Sequence, residues 1–113
     1  MRILITGSSL YDYHRAVFLS LESLVRLAGG EIITVVHDGH LGAQVIAAQI
    51  AEASEDVGLE NECHPRASAQ ELVDLGADRC LYFLQKGFDD TRARELAACA
   101  RAAGILTLGY KNY

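Results

Sequence analysis

Two glycine-bearing stretches hold the residues most able to do chemistry. In TGSSLYDY, residues 6–13, Gly7 leaves space beside the backbone, and Ser8 and Ser9 bring hydroxyls and amide N–H groups. In VVHDGHLGAQ, residues 35–44, an apolar run stops at His37, and Asp38, Gly39 and Gly42 follow before a helical pattern begins. A helix start carries partial positive charge and unpaired N–H donors, which favour phosphate or carboxylate. The chemistry these residues suit is therefore holding an anion. Glycine at position 39 permits a positive φ in the turn, and at 42 it lets backbone or ligand approach the first helical turn. Each feature has a plainer reading too. Gly and Ser are common in strand-to-helix turns, and His37 is either a donor to phosphate or a brace bonded to nearby backbone.

A third stretch, LQKGFDDT at residues 84–91, offers Lys86 and Gly87 to an anion but sets Asp89 and Asp90 beside them. Those acids bind ribose hydroxyls or cap the next helix, and capping is the default. Tyr11 and Tyr13 suit stacking on a base or packing at a helix start. His37, Asp38, His40 and His64 form no recognised ligand pattern, so no metal and no cofactor is expected. No catalytic set stands out: there is no nucleophile elbow and no cysteine paired with a histidine. Glu22, Glu52, Glu55, Glu71 and Glu95 fall on helices and read as solvated faces.

These stretches need elements to position them. Apolar, β-branched runs predict strands at Arg2–Thr6, Glu31–Val36, Leu59–His64, Arg79–Leu84 and Ile105–Tyr110, the third at a sheet edge. Apolar spacings of three and four predict helices over Asp12–Ala28 and Leu41–Val57. A third, short helix follows the Ser68-x-x-Glu71 capping box and runs to about Gly76. Asp89 or Asp90 starts a fourth, whose inner face is Ala93, Leu96, Ala97, Ala100 and Ala103. Strands alternating with helices imply a parallel sheet covered on both faces. The expected fold is α/β, a single Rossmann-like three-layer domain over residues 1–113, with a five-stranded parallel sheet ordered 3-2-1-4-5. In such a sheet ligands gather at the carboxyl ends, where strand order reverses. The loops around Gly7, Gly39 and Gly87 all lead to that edge.

The totals exclude some classes. The 113 residues, 50% of them apolar, suit one compact domain. A net charge of −5 argues against a duplex-nucleic-acid binder. The N-terminal apolar run is too short for a signal segment or a membrane span. Cys63, Cys80 and Cys99 are odd in number and widely spaced, so they read as small buried hydrophobes in a reducing, cytoplasmic protein.

Several segments, in order along nearly the whole chain, carry a resemblance: MRILITGS, VVHDGHLGA, ECHP, LVDLGADRCLYF and ARAAGI. Together they resemble the YspA-like branch of the SLOG superfamily, small Rossmann-like proteins related to DprA/Smf and to the Lonely Guy phosphoribohydrolases. The resemblance implies a nucleotide or nucleotide-derived ligand at the sheet edge. Gly7 and Ser8 match the first loop of the pattern, where Ser9 replaces an arginine. His37, Gly39, Gly42 and Ala43 match the second, where Asp38 replaces a glycine and Gln44 an acidic residue. In the fourth loop Gly87 and Thr91 remain of a Pro-Gly-Gly-x-Gly-Thr-like motif that is followed by a glutamate. Loss of those glycines argues against phosphoribohydrolase turnover, and small size with no catalytic set favours binding.

The leading expectation is a bacterial or phage sensor, carrier or sequestering protein for a nucleotide-derived small molecule. Its site would be Gly7, Ser8, Ser9, His37, Asp38, Gly39, Gly42 and Gly87. One alternative is a nucleoside-monophosphate N-glycosidic hydrolase using Asp38, Asp89 or Asp90. The other is a ligand-free interaction module that self-associates, for instance as a homodimer.

Overall fold

The computed structural model describes residues 1–112. Five strands, β1 (Arg2–Gly7), β2 (Ile33–His37), β3 (Leu59–Cys63), β4 (Arg79–Gln85) and β5 (Leu106–Asn112), form one sheet in the order β3-β2-β1-β4-β5. Every neighbouring pair is parallel. Four helices connect them: α1 (His14–Ala28), α2 (Ala43–Ala53), α3 (Ala69–Asp74) and α4 (Thr91–Ala102). The fold is the α/β, five-stranded parallel arrangement that the alternating pattern predicts.

Strand residues alternate between faces, and that splits the core in two. Ile3, Ile5, Ile33, Val35, Leu81 and Phe83 pack under α1 and α2 through Val17, Leu21, Ile46 and Ala47. Leu4, Val36 and Cys80 pack under α3 and α4 through Leu72, Val73, Leu96 and Ala100. Each fully buried Val, Leu or Ile contributes roughly 1.5–3 kcal/mol. Burial on both faces is why the three central strands read as unbroken apolar runs. The alternation also fixes polar positions. Thr6 follows Leu4 on the α3/α4 side, and Asp38 follows Val36, so both reach the carboxyl edge on one face.

Element ends differ from the sequence reading where tertiary contacts intervene. α2 starts at Ala43, not Leu41, because Ser9 and Gly42 form an antiparallel bridge that holds the preceding loop extended. It ends at Ala53, and Glu55–Val57 continues as a 3₁₀ turn before Gly58, in the left-handed region at φ 90°. β5 runs on to Asn112 because its full length pairs with β4. Ala103 is exposed rather than on the inner face of α4, since the helix has ended before it. Cys80 is buried, but Cys63 is exposed, because it ends an edge strand with no neighbour beyond it. α3 starts as expected: Ser68 Oγ accepts the Glu71 amide at 3.1 Å and Glu71 accepts the Ser68 amide at 3.3 Å.

Across the α3 side of the sheet, Arg2 of β1 reaches over β2 to Glu62 of β3 with two hydrogen bonds, of 3.0 and 2.8 Å. His64 Nε2 stands 2.8 Å from the same carboxylate. The Arg2 hydrogen bond, aided by His64, holds the Glu62 carboxyl at about 2, against an ordinary 4.5. A depressed folded pKa means the stabilisation is complete above about 4.5 and is lost as pH falls toward about 2. With both side chains about one-third exposed, the pair is worth no more than about 1 kcal/mol. Glu62→Gln should therefore cost up to about 1 kcal/mol near neutrality, a cost that shrinks as pH falls toward about 2. Urea denaturation of both chains across the window checks this; parallel stability profiles would contradict it.

Candidate functional site

Strand order reverses between β1 and β4, and three loops converge at the carboxyl edge there. They are residues 8–13 after β1, 38–42 after β2 and 86–90 after β4. Backbone bonds stitch them together. The Ser9 amide donates to the Asp89 carbonyl at 2.8 Å and the Leu10 amide to the Leu41 carbonyl at 3.4 Å. Ser8, Ser9, Gly39, Gly42 and Gly87 thus all lie on loops of the same rim, and Gly7 ends the strand that leads to it.

The amides of Ser8, Ser9, Gly39 and His40 on this rim are bonded within the chain. Ser8 N–H donates to Phe83 O at 2.8 Å, and the Ser8 hydroxyl accepts the Gln85 amide at 3.0 Å. Gly39 N–H donates to His37 Nδ1 at 3.0 Å, and His40 N–H donates to Asp38 Oδ1 at 3.1 Å. His37 is buried; with Nδ1 accepting, its Nε2 carries the proton and donates to Asn61 Oδ1 at 2.6 Å. The imidazole braces the loop, and both of its nitrogens are engaged.

The glycines have two different jobs. A Cβ on Gly7 would stand 2.7 Å from Phe83 O and 2.9 Å from the Ala43 Cβ. One on Gly42, at φ 122°, would stand 2.8 Å from Ser8 O. These two allow loop to pack on loop and strand on helix. Gly87 also has positive φ, at 91°, but open space around it.

Below the rim, on the α3/α4 face, a cavity of about 130 Å³ is lined by Thr6, Asp38, Ser68, Leu72, Arg92 and Glu95, among others. Arg92, near the start of α4, donates to Asp38 Oδ2 across this crevice. The Asp38 side chain is only 6% exposed, that of Arg92 44%. Burial pushes the Asp38 carboxyl up, but the Arg92 and His40 hydrogen bonds and the charges of both residues outweigh it. Its pKa ends below the ordinary carboxylate value. Glu95 lines the same crevice and, among the described residues, belongs to no ion pair within 4.0 Å. Buried Gln44 donates Nε2 to Thr6 Oγ1 at 3.3 Å, and its Oε1 has no hydrogen-bond partner among the described residues. Such an orphan is rare in folded proteins.

Of the residues singled out from sequence, Asp38 lines the cavity directly. Gly7, Ser8, His37 and Gly42 shape the rim, and Ser9, Gly39 and Gly87 lie along it. Asp89 accepts from the Thr91 amide at 3.0 Å, and Asp90 pairs with Arg94 at 2.7 Å. Thr6, Arg92 and Glu95 were not singled out for chemistry. Alternation from Leu4 signals Thr6, and the spacing of three between Arg92 and Glu95 puts both on one face of α4. Nothing local to the sequence pairs Arg92 with Asp38. Among the described residues no cluster of three His, Cys, Asp or Glu side chains could hold a metal ion, and no helix is long and apolar enough to cross a membrane. Comparison with family models, with curated proteins and with solved structures finds no match for this chain.

The glycine geometry makes a clear expectation. Gly42→Ala should destabilise the protein by roughly 3 kcal/mol or more, since it adds a clash with backbone to left-handed strain. Gly87→Ala should cost only about 1–2 kcal/mol, the strain alone. Denaturant titration of the two variants checks the order; equal losses would show that Gly42 is not wedged between the loops.

Proposed function

We propose that this chain is a SLOG-type, Rossmann-like domain that binds a nucleotide-derived small molecule at the carboxyl edge of its sheet, as a sensor, carrier or sequestering protein. The observation that carries the reading is the crevice beside the point where strand order reverses, the place where open α/β sheets present ligands. It holds an ionised, nearly buried carboxylate, a half-exposed guanidinium, an unpaired glutamate and two hydroxyls. An unsatisfied buried amide lies next to it. Charged groups in a small concavity are costly to maintain for folding alone, and perturbed ionisation there favours a binding role. The cavity is smaller than the roughly 300–1,000 Å³ of a site for a drug-sized molecule. It takes one part of a nucleotide, such as its pentose, and leaves the rest along the rim near Leu10, Tyr13 and Leu41, all exposed.

Asp38 and Arg92 make the direct contacts in this reading. Gly7, Ser8, His37 and Gly42 act as positioning residues, and Ser9, Gly39 and Gly87 border the rim. The hydrolase alternative gains from one observation. Glu95 follows the fourth loop and enters the crevice, whereas Asp89 and Asp90 are held by Thr91 and Arg94.

A thermal-shift screen of common nucleosides, nucleotides and their cyclic and dinucleotide derivatives tests the proposal. A ligand at about 100 times its dissociation constant should stabilise the protein by roughly 2.7 kcal/mol. Silence across the screen would reject it. Free base released in the same incubations, and lost in Glu95→Gln, would move the reading to the hydrolase.

A further inference from the structure

The crevice carries its own anion, and that bears on what else it accepts. Asp38 takes the His40 amide through Oδ1 and the Arg92 guanidinium through Oδ2. A loop amide and a guanidinium are the donors with which proteins commonly hold phosphate. Here both are aimed at a carboxylate of the chain. The neighbouring amides are engaged as well: Ser8 with Phe83, Ser9 with Asp89 and Gly39 with His37.

A phosphate monoester carries about −1.5 to −2 charges at neutral pH. It would enter beside two acidic side chains, Asp38 and Glu95, and the one guanidinium in the lining already holds the first of them. In a partly buried site, where water screens poorly, that repulsion is strong. Beyond the guanidinium, which is partly spent on Asp38, what the crevice offers is mostly acceptors. Glu95 is unpaired among the described residues. Carboxylate oxygens accept more than one hydrogen bond each, so Asp38 keeps capacity after binding His40 and Arg92. Thr6 and Ser68 add hydroxyls to the lining. Donating hydroxyl groups without charge complement this set, and a pentose with adjacent hydroxyls suits a cavity of about 130 Å³.

We infer that this crevice selects an uncharged, hydroxyl-rich ligand, a ribonucleoside in preference to its 5′-monophosphate, because Asp38 holds the place and the partners of an anion. The inference rests on the proposed binding of a nucleotide-derived molecule and names its class. Asp38 is the specificity-determining residue, and Arg92 is the group it keeps from phosphate.

Isothermal titration of the common ribonucleosides and their 5′-monophosphates against three chains tests it. The unmodified protein should bind at least one nucleoside about tenfold or more tightly than the matching monophosphate. Asp38→Asn keeps the shape and an acceptor for the His40 amide but removes the charge. It should shrink or reverse that ratio. Arg92→Gln, at a half-exposed helix position, should widen it, and it provides a second reading should Asp38→Asn fold poorly. A monophosphate that binds the unmodified chain as tightly as its nucleoside would overturn the inference and leave the binding proposal standing. Ratios unchanged in both variants would overturn Asp38's role. No binding of any of these probes to the unmodified chain would remove the binding proposal itself, and this inference with it.

Discussion

The site turns on one ion pair, the contact of Arg92 on α4 with the carboxylate of Asp38 beyond β2. It joins a helix that follows β4 to a loop that follows β2, across the end of β1. Burying a carboxylate is unfavourable unless it is paired and hydrogen-bonded. Asp38 is both, and it stays ionised because Arg92 and the His40 amide outweigh its loss of water. Removing Arg92 would leave the Asp38 charge in a place that cannot solvate it well, whereas Arg92 itself reaches water. The pair therefore fixes the β2–α2 loop against α4 and sets the charge of the crevice.

Around that pair the rim is closed by short-range packing. The Ser9–Gly42 bridge, the Ser9-to-Asp89 bond and the Ser8 hydroxyl under the Gln85 amide bring three loops into contact. Gly7 and Gly42 are glycines because a Cβ at either would meet backbone at under 3 Å. The same residues that make a rim attractive to an anion, small ones with free amides, here bring the loops close enough to use those amides on one another. The crevice left beneath has Arg92 and two hydroxyls as its donors and is rich in acceptors.

Much of this was legible in the residues. Apolar, β-branched runs marked the strands, and the count of strands and helices, with right-handed connections, restricted their order to a few choices. Ser68 and Glu71 announced a capping box that the structure contains. Asp38 and His37 could be named because they stand where β2 ends. What was not legible came from contacts between segments distant in sequence. Arg92 and Asp38 are separated by 54 residues, and Tyr11 donates to Asn112 across 101. The amides of Ser8 and Ser9 looked available because nothing in their own stretch announces Phe83 or Asp89 as acceptors. Cys63 looked buried because a cysteine reads as a small core residue by type, even in a strand expected at the sheet edge.

The central claim is that the Ser8, Ser9, Gly39 and His40 amides and Arg92 are already engaged within the chain, so inorganic phosphate finds no site among them. Backbone amide chemical shifts recorded during a phosphate titration test it most directly. The account predicts that the Ser8, Ser9, Gly39 and His40 amides keep their positions throughout. Saturable, concerted shifts of those four would show an open anion cradle and contradict it.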